Sequence, residues 1–205
     1  MKVLLFAPVL RQGSFNKKLI HIVYRYLLAQ QNCTPELVEF NEFPMPMYDG
    51  DLESQKGVPD GVKRLAKKIE DSDAIIISSP EYNWSIPGTF KNAIDWLSRL
   101  KPVPLENKHI CIIGASIGHF AGMRGQLAAR VPLQALKAHT YPDYFGVAKS
   151  ETAFDEQGHL KDPQQMERLR GVIDGFLKYA EGRNLPFERL DEFIEEQIHQ
   201  SPQQH

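Results

Sequence analysis

Cysteine is almost absent: Cys33 and Cys111 are the only two in 205 residues. Two thiols give neither a disulfide framework nor a metal-ligand spacing. Cys111 lies in the apolar run 110–113 and reads as a buried, inert thiol. An excess of one charge is also lacking. Lys and Arg number 24 and Asp and Glu 26, a formal net charge of −2. No concentrated basic face is expected, and nucleic acid is therefore a poor partner. No stretch approaches the ~18 apolar residues of a membrane span. The opening apolar run is too short for the core of a secretory leader, so a cytoplasmic protein is expected. There is no G-x-x-x-x-G-K, which speaks against a nucleoside triphosphatase. There is no G-x-G-x-x-G either, so the Rossmann fingerprint gives no support to dinucleotide binding. Internal repeats are missing.

What is present is an ordinary soluble composition, 42 % apolar and 24 % charged, at a length that suits one domain with a substantial core. Residues 2–7 form a short, nearly continuous apolar run, the pattern of a strand buried on both faces. An amphipathic stretch over 15–28 places Leu19, Ile20, Val23 and Leu27 at helical spacing. Further strands are expected at 36–40, 74–78, 109–114 and 140–147. Further helices are expected at 58–71, 87–100, 123–137 (with Pro132 kinking or interrupting it) and 163–181. The segment 43–48 is too rich in proline for a central element. Residues 183–205 read as a polar tail, in which Phe187, Leu190 and Ile194 allow a short docked helix.

Alternation of this kind predicts an α/β fold: a doubly wound, five-stranded parallel sheet in three α/β/α layers. Such sheets bind ligands outside the carboxyl ends of their strands, at a topological switch point. The loops after the first, third and fourth strands are thus the ones that matter. The first carries Arg11, Gly13, Ser14 and Asn16 into a helix start. Backbone N–H groups, hydroxyls and a guanidinium there suit an anion; an ordinary cap by Ser14 or Asn16 with Arg11 solvated is equally open. The second runs from Pro80 through Glu81, Tyr82, Asn83 and Trp84 to Pro87. It is a rigid turn whose N–H groups and aromatics suit a flat heteroaromatic ring, although Tyr82 and Trp84 could serve as core or interface aromatics. The third, Gly114 to Gly122, contains Ser116 and Gly118, small residues that let backbone approach a ligand or simply make a turn.

Arg11-Gln12-Gly13-Ser14-Phe15-Asn16, then Pro80-Glu81-Tyr82-Asn83 continuing through Ser85-Ile86-Pro87-Gly88 to Lys91-Asn92-Ala93-Ile94-Asp95-Trp96, resembles the NADPH-dependent FMN reductase family. The similarity spans residues 1–180 in order. It implies a flavodoxin-like fold and FMN as cofactor, with NADPH or NADH as donor. It also implies ping-pong hydride transfer through the flavin to quinone, azo, metal-oxyanion or free-flavin acceptors. In that likeness Arg11, Ser14 and Asn16 hold the phosphate, with Phe15 giving backbone. Pro80, Glu81, Tyr82 and Asn83 line the isoalloxazine and ribityl chain, and Ser116 and Gly118 close the other edge. No side chain carries acid–base chemistry, since the cofactor does; His119, Glu81 and Asp95 receive no such role, and Lys91 and Asp95 are expected to pair on their helix. A homodimer or homotetramer follows from the family alone. Pro8-Val9 stands where the family has Gly-Ser, which predicts a looser grip on phosphate. Two alternatives stay open: an FMN electron carrier, and a flavodoxin-like binding protein without catalysis.

Overall fold

A computed structural model describes residues 1–183 of the chain. Its centre is β1 (Lys2–Phe6), paired in parallel with β2 (Thr34–Leu37) on one side and β3 (Ala74–Ser78) on the other. Next to β3 lies β4 (His109–Ala115). The fifth position is shared by β5 (His139–Thr140) and β6 (Phe145–Val147), both parallel to β4. The order β2-β1-β3-β4-β5 is that of flavodoxin-like folds, and its switch point falls between β1 and β3.

Successive side chains of a strand point to opposite faces, and here the alternation divides the core in two. Val3, Leu5, Ile76, Cys111 and Ile113 pack beneath α1 (Phe15–Leu28) and α7 (Pro163–Arg183). Leu4, Phe6, Ile75, Ile77, Ile110 and Ile112 pack beneath α3 (Asp60–Glu70), α4 (Gly88–Leu97) and α5 (Met123–Ala135). The three expected layers result. Cys111 is fully buried, and burial pushes its thiol up to about 12, far from a reactive thiolate.

Several boundaries differ from the sequence reading. The second strand ends at Leu37 rather than running to residue 40, because Phe40 turns into a short 3-10 segment and drops into the core. Pro35 is tolerated because β2 is an edge strand, where proline costs no ladder bond on its outer side. A short helix, α2 (Gly50–Lys56), was not expected; it buries no residue, so it leaves no periodic signal. The last strand is split because residues 142–144 leave the ladder: the Tyr141 N–H still donates to the Ile110 carbonyl at 2.8 Å, but the Arg130 guanidinium takes the carbonyls of Tyr141 at 2.7 Å and Pro142 at 3.0 Å. Helix α5 passes through Pro132 and ends at Ala135. A four-residue helix, α6 (Ser150–Ala153), follows β6. Beyond Arg183 the expected tail, with Phe187, Leu190 and Ile194, lies outside the described residues. No helix among the described residues is long and apolar enough to cross a membrane.

One glycine of β6 sets the position of a site loop. A Cβ on Gly146 would lie 2.2 Å from the carbonyl oxygen of Ala121. Gly146→Ala is therefore expected to cost about 2 kcal/mol by overpacking and to lower the melting temperature by about 6 °C, read by a thermal-shift assay.

Candidate active site

The loops after β1, β3 and β4 converge at the switch point on a cleft of about 320 Å³. Of the ten residues picked from sequence, all but Asn83 and Gly118 line it. Gly118 sits one step out, its N–H donating to the Ser116 hydroxyl at 3.2 Å.

Ser14 caps α1 with extended backbone (φ −74°, ψ 130°), and its hydroxyl accepts the Asn16 N–H at 3.2 Å. The N–H groups of Phe15 and Lys17 meet no protein acceptor among the described residues. Free donors and the positive end of the helix dipole thus face the cleft. Arg11 is exposed and donates only to the Gly13 carbonyl of its own loop, at 3.1 Å, which leaves most of its donors available. Ser14 is therefore both an ordinary cap and part of an anion-ready helix start.

Asn16 plays a different part from the one its position suggested. Its side chain is committed to protein. The carboxamide donates to the Ala115 carbonyl at 2.9 Å and accepts the Ala115 N–H at 2.9 Å and the Ser78 hydroxyl at 3.0 Å. It ties the start of α1 to the ends of β3 and β4. Pro8 and Val9 lie outside the lining of the cleft. Val9 is a core residue, and the Thr89 hydroxyl donates to the Pro8 carbonyl at 2.7 Å.

The second loop ends in a two-residue turn. Tyr82 and Ser85 exchange both N–H···O bonds at 2.9 Å, with Asn83 at φ 50° and Trp84 at φ 66°. Left-handed backbone is uncommon outside glycine, most of all for a bulky residue, and such outliers gather at functional sites. The N–H groups of Asn83 and Trp84 have no protein acceptor among the described residues. Tyr82 (52 % exposed) and Trp84 (73 %) are rim aromatics, not core.

Glu81 anchors this turn. Its side chain is only 7 % exposed and pairs with the Arg124 guanidinium at 2.6 Å. Its other oxygen accepts the N–H groups of Arg124 and Gly125 at 3.1 and 3.4 Å, capping α5 from another loop. Gly125 permits the approach: a Cβ there would lie 3.0 Å from the Cα of Glu81. Arg124 is in turn stacked between Trp84 and Phe120, 4.4 and 4.6 Å from the ring centroids. Lys91 and Asp95 pair at 2.7 Å, as expected, and His119 is exposed.

Ser150, at the start of α6, was missed. It lines the cleft, is fully buried, and its hydroxyl has no partner. It follows the last strand rather than the first, third or fourth, and a four-residue helix carries no periodicity. A buried orphan hydroxyl costs free energy unless a ligand completes it. Ser150→Ala is thus expected to leave the ligand-free chain as stable as before or slightly more so. The same change should weaken binding of a phosphate-bearing ligand about tenfold, the low end for a lost bond to a charged group. Paired thermal melts and ligand titrations read the two opposed signs.

Taken together, fold and cleft define a switch-point site with an anion-ready helix start in its lining and open N–H groups on the turn that follows Tyr82. The NADPH-dependent FMN reductase model matches residues 1–152, and the chain belongs to that family. It is an oxidoreductase. A quinone reductase of Escherichia coli (strain K12) is 34 % identical over 187 residues, covering 88 % of this chain and 96 % of its own. An NAD(P)H-dependent FMN reductase of Pseudomonas aeruginosa is 34 % identical over 172 residues, 83 % of this chain and 90 % of its own. Among solved structures, the flavoenzyme NAD(P)H:(acceptor) oxidoreductase FerB of Paracoccus denitrificans superposes with a TM-score of 0.75 at 29 % identity. That match covers 88 % of this chain and 97 % of the other.

Proposed function

We propose that the cleft holds FMN and that the protein passes electrons from NADPH or NADH through it to quinone, azo, metal-oxyanion or free-flavin acceptors. The observation that carries this is a pair of unsatisfied donor sets, one lining the cleft and the other on the turn that directly follows its lining residue Tyr82. The first comprises the free N–H groups of α1, the Arg11 guanidinium and the orphan Ser150 hydroxyl; these suit a phosphate. The second comprises the unbonded N–H groups of Asn83 and Trp84, which suit the edge of a heteroaromatic ring.

In this reading Arg11, Ser14 and Ser150 contact the phosphate, while the backbone of Phe15 adds donors. Asn16 positions that loop from beneath. Pro80, Glu81 and Tyr82 lie along the ribityl chain and ring, Asn83 offers its N–H to the ring edge, and Ser116 with the neighbouring Gly118 closes the far side. When bound, the flavin would supply the two-electron chemistry, serving donor and acceptor in turn. The residues bind and orient; none is needed as acid or base.

The flavin domain is taken as 1–182, the last buried side chain of α7 among the described residues being Ala180, with 183–205 as a tail. A homodimer, or a tetramer of two, is supported by an exposed apolar stripe on α5, Met123, Leu127 and Val131 at helical spacing. Sedimentation velocity that finds only monomer at micromolar concentration would count against it. A cytoplasmic site of action fits two free thiols and a reduced-nicotinamide donor.

The test is colour followed by turnover. Purified protein should be yellow, or take up added FMN, and bleach on adding NADPH or NADH, with the colour returning when a quinone is supplied. Yellow protein that does not bleach would make it an electron carrier. Protein that takes up no FMN would overturn the assignment.

A further inference from the structure

Beyond Ser14 the site opens into a second and larger cleft, about 610 Å³ against 320 Å³, with Ser14 in the lining of both. It runs along the outer face of α1 toward the exit of β2. Lys17, His21 and Arg25 follow one another at intervals of four on this face, and Lys18 stands beside them. Lys17, Lys18 and Arg25 give this face positive charge, which the protein offsets only in part. The Glu39 carboxylate takes Lys17 at 2.6 Å and faces His21 at 3.6 Å. Lys18 and Arg25 have no carboxylate partner among the described residues. Lys18 Nζ is poised instead over the rings of Phe15 and Phe154, 5.6 and 5.9 Å from their centroids.

The same lining also carries the other sign. Glu42 and Glu156 belong to it without ion pairs among the described residues, together with the neutral amides of Asn41 and Gln157. A bare polyanion would be repelled by these carboxylates, and a simple cation by Lys18 and Arg25. A nucleoside phosphate suits both. Its phosphate meets the unpaired cations, its ribose hydroxyls donate to carboxylates, and its base bonds to amides. In doubly wound dinucleotide sites an acid beyond the second strand is the partner of the adenosine ribose, and Glu39 and Glu42 follow β2 here.

We propose that this cleft is an adenylate subsite, taking the adenosine-phosphate half of a dinucleotide. Two sources share that chemistry. One is FAD, whose pyrophosphate would cross at Ser14 from the flavin phosphate on α1; this source rests on the flavin reading above. The other is the nicotinamide donor.

The test uses full-length protein stripped of flavin, as wild type and as the double variant Lys18→Gln/Arg25→Glu. AMP and 2′,5′-ADP are titrated by calorimetry, FMN and FAD by fluorescence quenching, and the donor KM is measured on flavin-loaded protein. At least one nucleotide should bind the wild type and bind the variant about tenfold more weakly. If FAD is the source, its Kd rises about tenfold while that of FMN stays within about threefold. A long-range charge effect would move both flavins alike, so their ratio is the readout. If the donor is the source, its KM rises and the flavin constants stay. Movement of neither would assign the cleft to a free nucleotide. Nucleotides that fail to bind, or that bind the variant as well as the wild type, overturn the proposal. Should the wild type take up no flavin, the FMN reading fails while the nucleotide titration still decides this one.

Discussion

Asn16→Ala is expected to destabilise the chain by about 3 kcal/mol, to lower its melting temperature by about 10 °C, and to abolish measurable flavin uptake. The side chain is 2 % exposed and satisfies three groups at once: the N–H and carbonyl of Ala115 and the hydroxyl of Ser78. Alanine leaves all three buried without partners, and an unsatisfied buried polar group costs more than an intact hydrogen bond contributes. The effect on binding comes through geometry, since the loops after β1 and β4 lose the clasp that sets their spacing. Asn16→Asp separates the two contributions. A carboxylate keeps both acceptor roles but cannot donate to the Ala115 carbonyl, and it brings negative charge toward the anion end. It should melt between wild type and Asn16→Ala while binding flavin no better than the alanine variant. A melting temperature for Asn16→Ala within about 2 °C of wild type would contradict this account.

Glu81→Ala should cost about 3 kcal/mol, the lower end for breaking a buried ion pair, because Glu81 is buried while Arg124 is one-third exposed. Three things fail together: the ion pair, the cap on α5 and the anchor of the Tyr82–Ser85 turn. Urea unfolding should show a lower midpoint with an unchanged slope. Flavin Kd should rise about tenfold as the turn N–H groups lose their aim. Glu81→Gln keeps an acceptor for the α5 N–H groups and should lose about half as much stability. If Glu81→Gln were as damaging as Glu81→Ala, the charge on Arg124 rather than the cap would be the larger contribution.

The strand cores were legible because burial on both faces writes itself as unbroken apolar runs; Ala74–Ser78 falls where the three consecutive isoleucines place it. Helix α1 was legible from periodicity and its serine cap. The edge strand was misplaced because β2 is only half-buried and contains Pro35, so neither pattern nor propensity marks it. At the site, residue types and loop positions gathered eight of the eleven lining residues, missing Ala115, Ile117 and Ser150, but not their division of labour. A buried asparagine reads as a ligand contact until its partners are seen, and Glu81 gives no sign in sequence that it caps a helix some forty residues away. Ser150 lay in a segment with no periodicity at all.

The clasp at Asn16 joins the loops at their base, while their tips hold Trp84, Ile117 and Phe120, 73, 64 and 61 % exposed and outside both core clusters. Selection therefore acts on the two levels separately. A change at the base is tested first as a folding defect, whereas a change at a tip leaves the core untouched. Descendants of such a protein can vary at the tips long before they vary at the base, and a laboratory library that must stay folded would do best to randomise the tips.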